Sequence, residues 1–456
     1  MIAKIMEQFA QKAPAALMFR GLFARLFSDD VLNQVFKDHR VRQVDSPLLF
    51  SYLVHLLIPV ITGSKASVNA AHQNSDCKLS RQAVYDKLKG VEPAVAAALV
   101  RSTVGELRAL QDKAKVQRKD VIPGYHTFII DGKSLNGTEH RLWESRSDSR
   151  SPLPGRCVAM FDTRYELFCD VECEPYAYRC ERKVLEPMFD RLEKGALYVA
   201  DRNFSDGEDI SRFKEAGTFF VLRQHGACPA WRGIPGEKIV ACKHGTSVGG
   251  RVYEQKIEVQ LSDKSWIRVR RVTIVLKKKN RNGDTTLHLL TNLPSTVSAV
   301  TITKVYRTRW KIETCFGYLS QALNAEINTL CYPGAAGLCF CLALTLFNMM
   351  SLLKVLIAKY GRQPDPKKPI EVSYYYLAHE IAECHAGMSI VFSDRDWKKY
   401  VAMTTSEFAR WMKSIAMQAE LRRYRKHPRG PTKPKPKRNF TGSRHVATQQ
   451  LIEARE

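Results

Sequence analysis

A chain of 456 residues, 45% of them hydrophobic, has room for roughly two to four domains with more than one apolar core, so a soluble globular protein is expected and a disordered polymer is excluded. Lys and Arg number 71 against 46 Asp and Glu, a net charge of +25 that calls for a polyanionic partner. Nucleic acid suits that surplus better than an anionic membrane surface, because the start of the chain, Met-Ile-Ala-Lys, shows neither a basic amphipathic helix nor a lipidation signal.

Residues 1–120 read as a helical N-terminal DNA-binding region, with amphipathic segments at 3–26, 30–36, 47–61 and 93–111. Within it a helix-turn-helix is expected, with residues 67–72 as the first helix and 74–78 as the turn. Ser80 would then cap a second helix, 81–88, that carries Arg81, Gln82, Tyr85 and Lys87. Arg81 and Lys87 are candidate DNA contacts; a plain surface helix is the competing reading.

The texture changes at Val121. Residues 121–222 read as strands at 125–130, 155–161, 166–172, 196–200 and 218–222, with helices at 179–194 and 206–216 between the later ones. Three successive strands followed by alternating helix and strand give an α/β layer with a mixed sheet, an order that matches the ribonuclease-H-like arrangement. Residues 223–292 interrupt it as an all-β insertion, with alternating strands at 251–261, 266–276 and 285–290. Asn282-Gly283 forms a hairpin turn there, and Lys277, Lys278, Lys279 and Arg281 crowd its tip, as a solvated loop or a phosphate-facing finger.

Residues 293–360 read as the second part of the α/β core. A helix at 298–303 precedes one running from Tyr306 to about Asn324, and then a nearly unbroken apolar run, 337–357, matches the roughly 20 residues that a bilayer demands. Asn348 and Lys354 interrupt that run, so a core helix is expected and no membrane partner. Residues 361–456 form a C-terminal helical region, with helices at 373–383 and 406–424, that leads into a tail rich in Arg, Lys and Pro over 422–438, an electrostatic tether. Twelve cysteines without a repeating framework point to a reduced cytosolic compartment and no disulfides; Cys169, Cys173 and Cys180 come nearest to a zinc spacing but form no Cys-x-x-Cys.

The chemistry rests on three acids. Asp131 closes the strand Phe-Ile-Ile-Asp-Gly, and Asp201 closes Leu-Tyr-Val-Ala-Asp. Apolar residues before each acid bury the strand and bring the acid to the sheet's rim, where ligands bind. Tyr306, Arg309 and Glu313, at i, i+3 and i+7, share one helix face, so that Glu313 is the third acid while Tyr306, Arg309 and Lys311 are candidate phosphate contacts. An exposed Arg309–Glu313 ion pair is the competing reading. Trp310 reads as core packing or as a stacking surface for an unpaired base. Three oxygen ligands without His or Cys select Mg²⁺ or Mn²⁺, and two such ions about 3.5–4 Å apart activate a hydroxyl nucleophile and stabilise the leaving oxygen of a phosphodiester. Asp131 would bridge both ions, with Asp201 and Glu313 each completing one shell.

Asp131 in Ile-Asp-Gly, Asp201 in Ala-Asp-Arg-Asn-Phe, the β-rich insertion before Glu313, and Tyr-x-x-Arg-x-x-x-Glu at Tyr306, Arg309 and Glu313 together resemble the DDE transposases with a ribonuclease-H-like core, specifically the bacterial insertion-sequence family four. The resemblance covers roughly residues 121–360. It implies cut-and-paste transposition of double-stranded DNA: hydrolysis at the terminal inverted repeats, attack of the freed 3′ hydroxyl on the second strand, commonly through a hairpin, and strand transfer into target DNA. It also implies a homodimer that bridges two ends, in the bacterial cytoplasm at the nucleoid. The family pattern continues with Lys seven residues after the Glu, where this sequence has Ser320. A catalytically weakened DNA-binding relative and a structure-specific nuclease on the same fold are the alternatives.

Overall fold

The architecture follows from one mixed sheet, seen in a computed structural model that describes residues 2–44, 48–75, 78–135, 153–226, 229–234, 236, 240–247, 249–279, 283–328, 330–365, 367–427 and 430. Seven helices come first: α1 (Ile2–Lys12), α2 (Pro14–Leu26), α3 (Asp29–His39), α4 (Phe50–Ile61), α5 (Val68–Gln73), α6 (Arg81–Lys89) and α7 (Pro93–Ala114). The segment read as one helix over 3–26 is two, because Pro14 lacks an N–H and so opens α2 instead of continuing α1. Ser28, Ser67 and Ser80 cap α3, α5 and α6, each hydroxyl accepting from the backbone N–H three residues on.

The core strands follow: β1 (Thr127–Leu135), β2 (Gly155–Asp162) and β3 (Leu167–Glu174) run antiparallel, while β4 (Leu197–Ala200) and β5 (Phe219–Arg223) run parallel to β1. Helix α8 (Glu181–Leu185) and a 3-10 turn, Glu186–Arg191, lead into β4, and α9 (Gly207–Glu215) connects β4 to β5. The helix read over 179–194 is short because Pro187 removes the N–H that an α-helix would use. The order β3-β2-β1-β4-β5, with β2 reversed, is the ribonuclease-H-like arrangement expected from the sequence.

The insertion adds β6 (Trp231–Gly233), β7 (Val240–Ser247), β8 (Gly250–Gln260), β9 (Trp266–Leu276) and β10 (Thr286–Thr291). Its last strand, β10, pairs antiparallel with β5, so β10, β9, β8 and β6 prolong the core sheet. The sequence reading missed β6 and β7. Lys277, Lys278 and Lys279 are exposed at the β9–β10 connection, whereas Arg281 and Asn282 lie outside the described residues.

The chain ends in α10 (Ala299–Arg307), α11 (Trp310–Gln321), α12 (Pro333–Tyr360), α13 (Tyr374–Val391), α14 (Asp394–Val401) and α15 (Thr405–Ala416). Met1–Arg425 make one unit, and the segment from Lys426, which holds most of the basic tail, lies almost wholly outside the described residues. One core, on the side of Ile129, Phe161 and Phe168, collects α2, α4, α7 and α12; a second, around Phe128, Ile130, Tyr198 and Phe220, lies under α8 and α9.

Helix α12 carries the apolar run. It is long and apolar enough to cross a membrane, yet 94% of its most apolar stretch is buried against the rest of the fold. The polar residue within it has a structural cause. The Asn348 amide accepts from Phe168 N at 2.7 Å and donates to Phe168 O at 2.8 Å, so it satisfies the outer backbone groups of β3, the edge strand of the sheet. The Ser351 hydroxyl, one turn on, donates to Glu166 O at 2.7 Å.

A second polar knot closes the far end of β2. Asp162 is fully buried; its Oδ2 accepts from Arg108 Nη2 at 2.6 Å, and its Oδ1 accepts from the backbone N–H groups of Arg164 and Tyr165 and lies 2.8 Å from His126 Nε2. Removing one side of a buried charge pair leaves the partner unpaired in a medium that solvates it poorly, at a cost of about 3–5 kcal/mol. Asp162→Ala is therefore expected to lower the unfolding free energy by that amount in urea titrations, and a loss under 1 kcal/mol would refute this reading of the knot.

Candidate active site

Strand register brings the first two acids together. The parallel pairing of β1 with β4 runs from Thr127↔Leu197 to Ile130↔Ala200, so Asp131 and Asp201 are the next residues on neighbouring strands about 4.8 Å apart. At Asp201 the chain leaves the sheet, as expected from the sequence, and enters a 3-10 turn, Arg202–Phe204. Asp131 differs from its expected place. It is internal to β1, which runs on to Leu135 paired with β2, because the β2 ladder extends beyond the point where β4 stops. The rim position therefore comes from the end of β4 and not from the end of β1. Alternation along β1 sets Asp131 on the side of Ile129, where Tyr306 and Ile312 are also packed.

The Tyr-Arg-Glu segment is not one helix. Helix α10 stops at Arg307, the N–H groups of Thr308, Arg309, Lys311 and Ile312 bond three residues back, and α11 starts at Trp310. Tyr306 closes one helix, Arg309 occupies the tightened junction, and Glu313 lies in the first turn of the next. They converge all the same. The Tyr306 hydroxyl donates to Asp201 Oδ1 at 3.3 Å, Arg309 Nη1 reaches Asp131 Oδ2 at 2.9 Å, and Arg309 Nη2 reaches Glu313 Oε1 at 2.6 Å. The Arg309–Glu313 contact is thus no exposed ion pair, since Arg309 is 7% exposed.

Burial pushes the Asp131 carboxyl up to about 7; the Arg309 guanidinium opposes that rise, while Glu313 and Asp201 add to it. Burial, reinforced by the Asp201 charge, pushes the Tyr306 phenol up to about 12, which keeps its proton available for donation. The three acids form an oxygen-only donor set that suits a hard divalent cation. Among the described residues no three such groups stand close enough to hold one, because the Arg309 cation takes the place between Asp131 and Glu313. The guanidinium behaves as a stand-in cation there, and its buried Nε has no hydrogen-bond partner, so the fit to a metal is one of charge and donor type.

The remaining expected residues are spread out. Lys311 is half-buried on α11. Trp310 is 58% exposed, which overturns core packing as its role, and the Arg309 guanidinium lies 5.6 Å from its ring centre. Ser320 is exposed, with its hydroxyl turned back to the Phe316 carbonyl at 3.5 Å. On α6, Arg81 is exposed, while Lys87 lies 4.8 Å from the Phe36 ring centre, its Nζ 3.5 Å from the Val44 carbonyl.

Sequence reasoning missed the support behind the acids. Asn203 Nδ2 donates to Glu181 Oε2 at 2.9 Å, which ties the turn after Asp201 to the start of α8. A Cβ at Gly132 would lie 2.3 Å from Glu181 Oε1, so only glycine lets this carboxylate approach β1 beside Asp131. The Asp-Gly pair was the available signal. Lys133, two residues beyond Asp131 and on its face, pairs with Glu326 at 2.9 Å.

Residues 122–348 match the family model described as a transposase DDE domain. A cryo-EM structure of a piggyBac transposase synaptic complex with hairpin DNA aligns with 92% of this chain and 87% of its own, at 11% identity and a TM-score of 0.40. No curated protein matches the chain.

The electrostatics give a pH test. The folded-state value of Asp131, about 7, lies above the ordinary 3.8, so the folded protein holds a proton that the unfolded chain has released, and stability falls as pH rises from about 4 to about 7. Asp131→Asn is expected to flatten that part of the profile in denaturant titrations at stepped pH. An unchanged slope would show that Asp131 titrates normally.

Proposed function

We propose that this chain, whose residues 122–348 match the transposase DDE domain, is a Mg²⁺- or Mn²⁺-dependent DNA transposase of the cut-and-paste type, with Asp131, Asp201 and Glu313 as the metal-holding acids. The observation that carries the reading is the convergence of those acids, from two strands and a helix, on the Tyr306 hydroxyl and the Arg309 guanidinium. When bound, two divalent ions would activate the attacking hydroxyl and stabilise the leaving oxygen of the phosphodiester. Arg309 bridges and orients Asp131 and Glu313 in their absence. Tyr306 orients Asp201 through its proton. The exposed Trp310 and the adjacent Lys311 offer a ring and a charge on the outer side of the same helix start, where a DNA strand would pass.

The net charge of +25 supports double-stranded DNA as partner, in the form of terminal inverted repeats and a target duplex. Membership of the bacterial insertion-sequence family four, a homodimer that bridges two ends, DNA contacts through Arg81 and Lys87, and a cytoplasmic, nucleoid-associated location belong to the same proposal and rest on the motif resemblance. One observation favours a second reading, a catalytically weakened DNA-binding relative. Ser320 stands where the family pattern has Lys, and an exposed serine bonded to its own helix supplies no positive charge.

Strand cleavage on duplexes that carry the flanking terminal repeats decides between them. Wild type is expected to cut with Mg²⁺, and Asp131→Ala, Asp201→Ala and Glu313→Ala each to lose at least ~100-fold, the scale on which removal of one electrostatic group from a reaction centre acts. Equal cutting by all four proteins refutes the acid assignment, and no cutting by any of them, with end binding retained, supports the weakened relative. Ser320→Lys is expected to tighten end binding and to steepen its salt dependence by about one counterion; unchanged binding would show that this helix grips DNA by other means.

A further inference from the structure

Three cysteines that play no part in the acid site meet beneath the edge of the sheet. Cys157 on β2, Cys173 on β3 and Cys341 on α12 come from separate elements, and the Cys173 sulfur lies 3.3 Å from each of the other two. Cys157 and Cys341 are fully buried, and Cys173 is partly exposed. Nothing in the sequence spacing marks the set, since Cys341 arrives 168 residues after Cys173. The sulfurs pack against one another instead of splaying around a void, and among the described residues no such group is arranged to hold a metal ion.

The backbone beneath two of them is already in place for a covalent bond. Cys157 and Cys173 are directly opposite partners in the antiparallel β2–β3 ladder. Opposite Cα atoms in such a ladder are about 4.5 or 5.5 Å apart, and both distances fall within the roughly 4.4–6.8 Å that a disulfide spans. A small cavity of about 10 Å³, room for at most one water-sized molecule, is lined by Pro154, Cys157, Cys173, Pro175 and Pro333.

From these observations we infer that Cys157 and Cys173 form a reversible cross-strand disulfide on exposure to hydrogen peroxide, with the partly exposed Cys173 as the attacking thiol. Hydrogen bonds from the Cys157 and Cys341 thiols to the Cys173 sulfur hold its thiolate well below the usual thiol range, which suits it for attack. The Cys173 thiolate displaces hydroxide from hydrogen peroxide and becomes a sulfenic acid. The Cys157 sulfur then attacks the Cys173 sulfur, the S–S bond forms, and the sulfenic oxygen leaves as water. Two thiols and one peroxide have become one disulfide and two waters. Cys341 keeps its hydrogen and lies within reach of Cys173 for later exchange. The bond ties together the two strands that flank the acid-bearing β1 on its outer side, where β2 pairs Ala159 with Asp131.

The test uses the full-length, folded, reduced protein, treated with hydrogen peroxide, blocked by alkylation and digested without reductant. The expected result is the loss of two hydrogens per chain, a linked peptide pair containing Cys157 and Cys173, and full reversal by dithiothreitol. Cys173→Ser and Cys157→Ser are expected to abolish the link, whereas Cys341→Ser keeps it. Circular dichroism of each variant separates misfolding from a lost thiol. Exposed Cys180 is the internal standard: peroxide that modifies Cys180 while Cys157 and Cys173 remain free thiols overturns the inference, and so does a disulfide that pairs Cys173 with Cys341 in place of Cys157.

Discussion

A buried guanidinium holds this site together. Arg309 is 7% exposed, and a cation so placed demands counter-charge, because desolvating an unpaired ion costs several kcal/mol. Asp131 and Glu313 meet that demand directly, at 2.9 and 2.6 Å. The dependence runs both ways. Without a cation between them, two partly buried carboxylates beside a third would repel, and the raised Asp131 value shows that burial and this repulsion still outweigh the guanidinium. The resting site and the proposed metal site would therefore share one electrostatic logic, in which acids converge around positive charge.

Backbone geometry delivers these groups. The β1–β4 register fixes Asp131 beside Asp201, and that register is stable because Ile129, Val199 and Val221 face one core while Phe128, Tyr198 and Phe220 face the other. A slip of one residue would exchange the two faces of the strand. The opposite edge of the sheet is closed by α12, whose Asn348 amide supplies to β3 the hydrogen bonds that a further strand would have made. The cysteine trio is a by-product of the same packing, since it needs β2, β3 and α12 to close on one another.

Much of this was legible in the chain. Alternation and apolar runs located all five core strands, and the cap at Ser80 marks a helix start that the structure keeps, because both signals are local. Asp201 was legible for the same reason: a polar residue that closes an apolar strand is visible without knowledge of its neighbours. Pro14 and Pro187 are local signals of the same kind, and each divides a helix that apolar periodicity alone would join.

What the sequence determined by itself is the identity and spacing of the charged and apolar residues, and hence the strands, the caps and the presence of three acids in a basic chain. The tertiary structure alone decided the rest. Whether the Tyr-Arg-Glu segment stays one helix depends on how α10 and α11 dock on the sheet, and the break at Thr308–Arg309 is what turns Arg309 inward. Trp310 became exposed, Asp131 became internal to β1, and Cys341 joined Cys157 and Cys173 for the same reason. Each depends on partners tens to hundreds of residues away, and no local pattern of side chains carries that information.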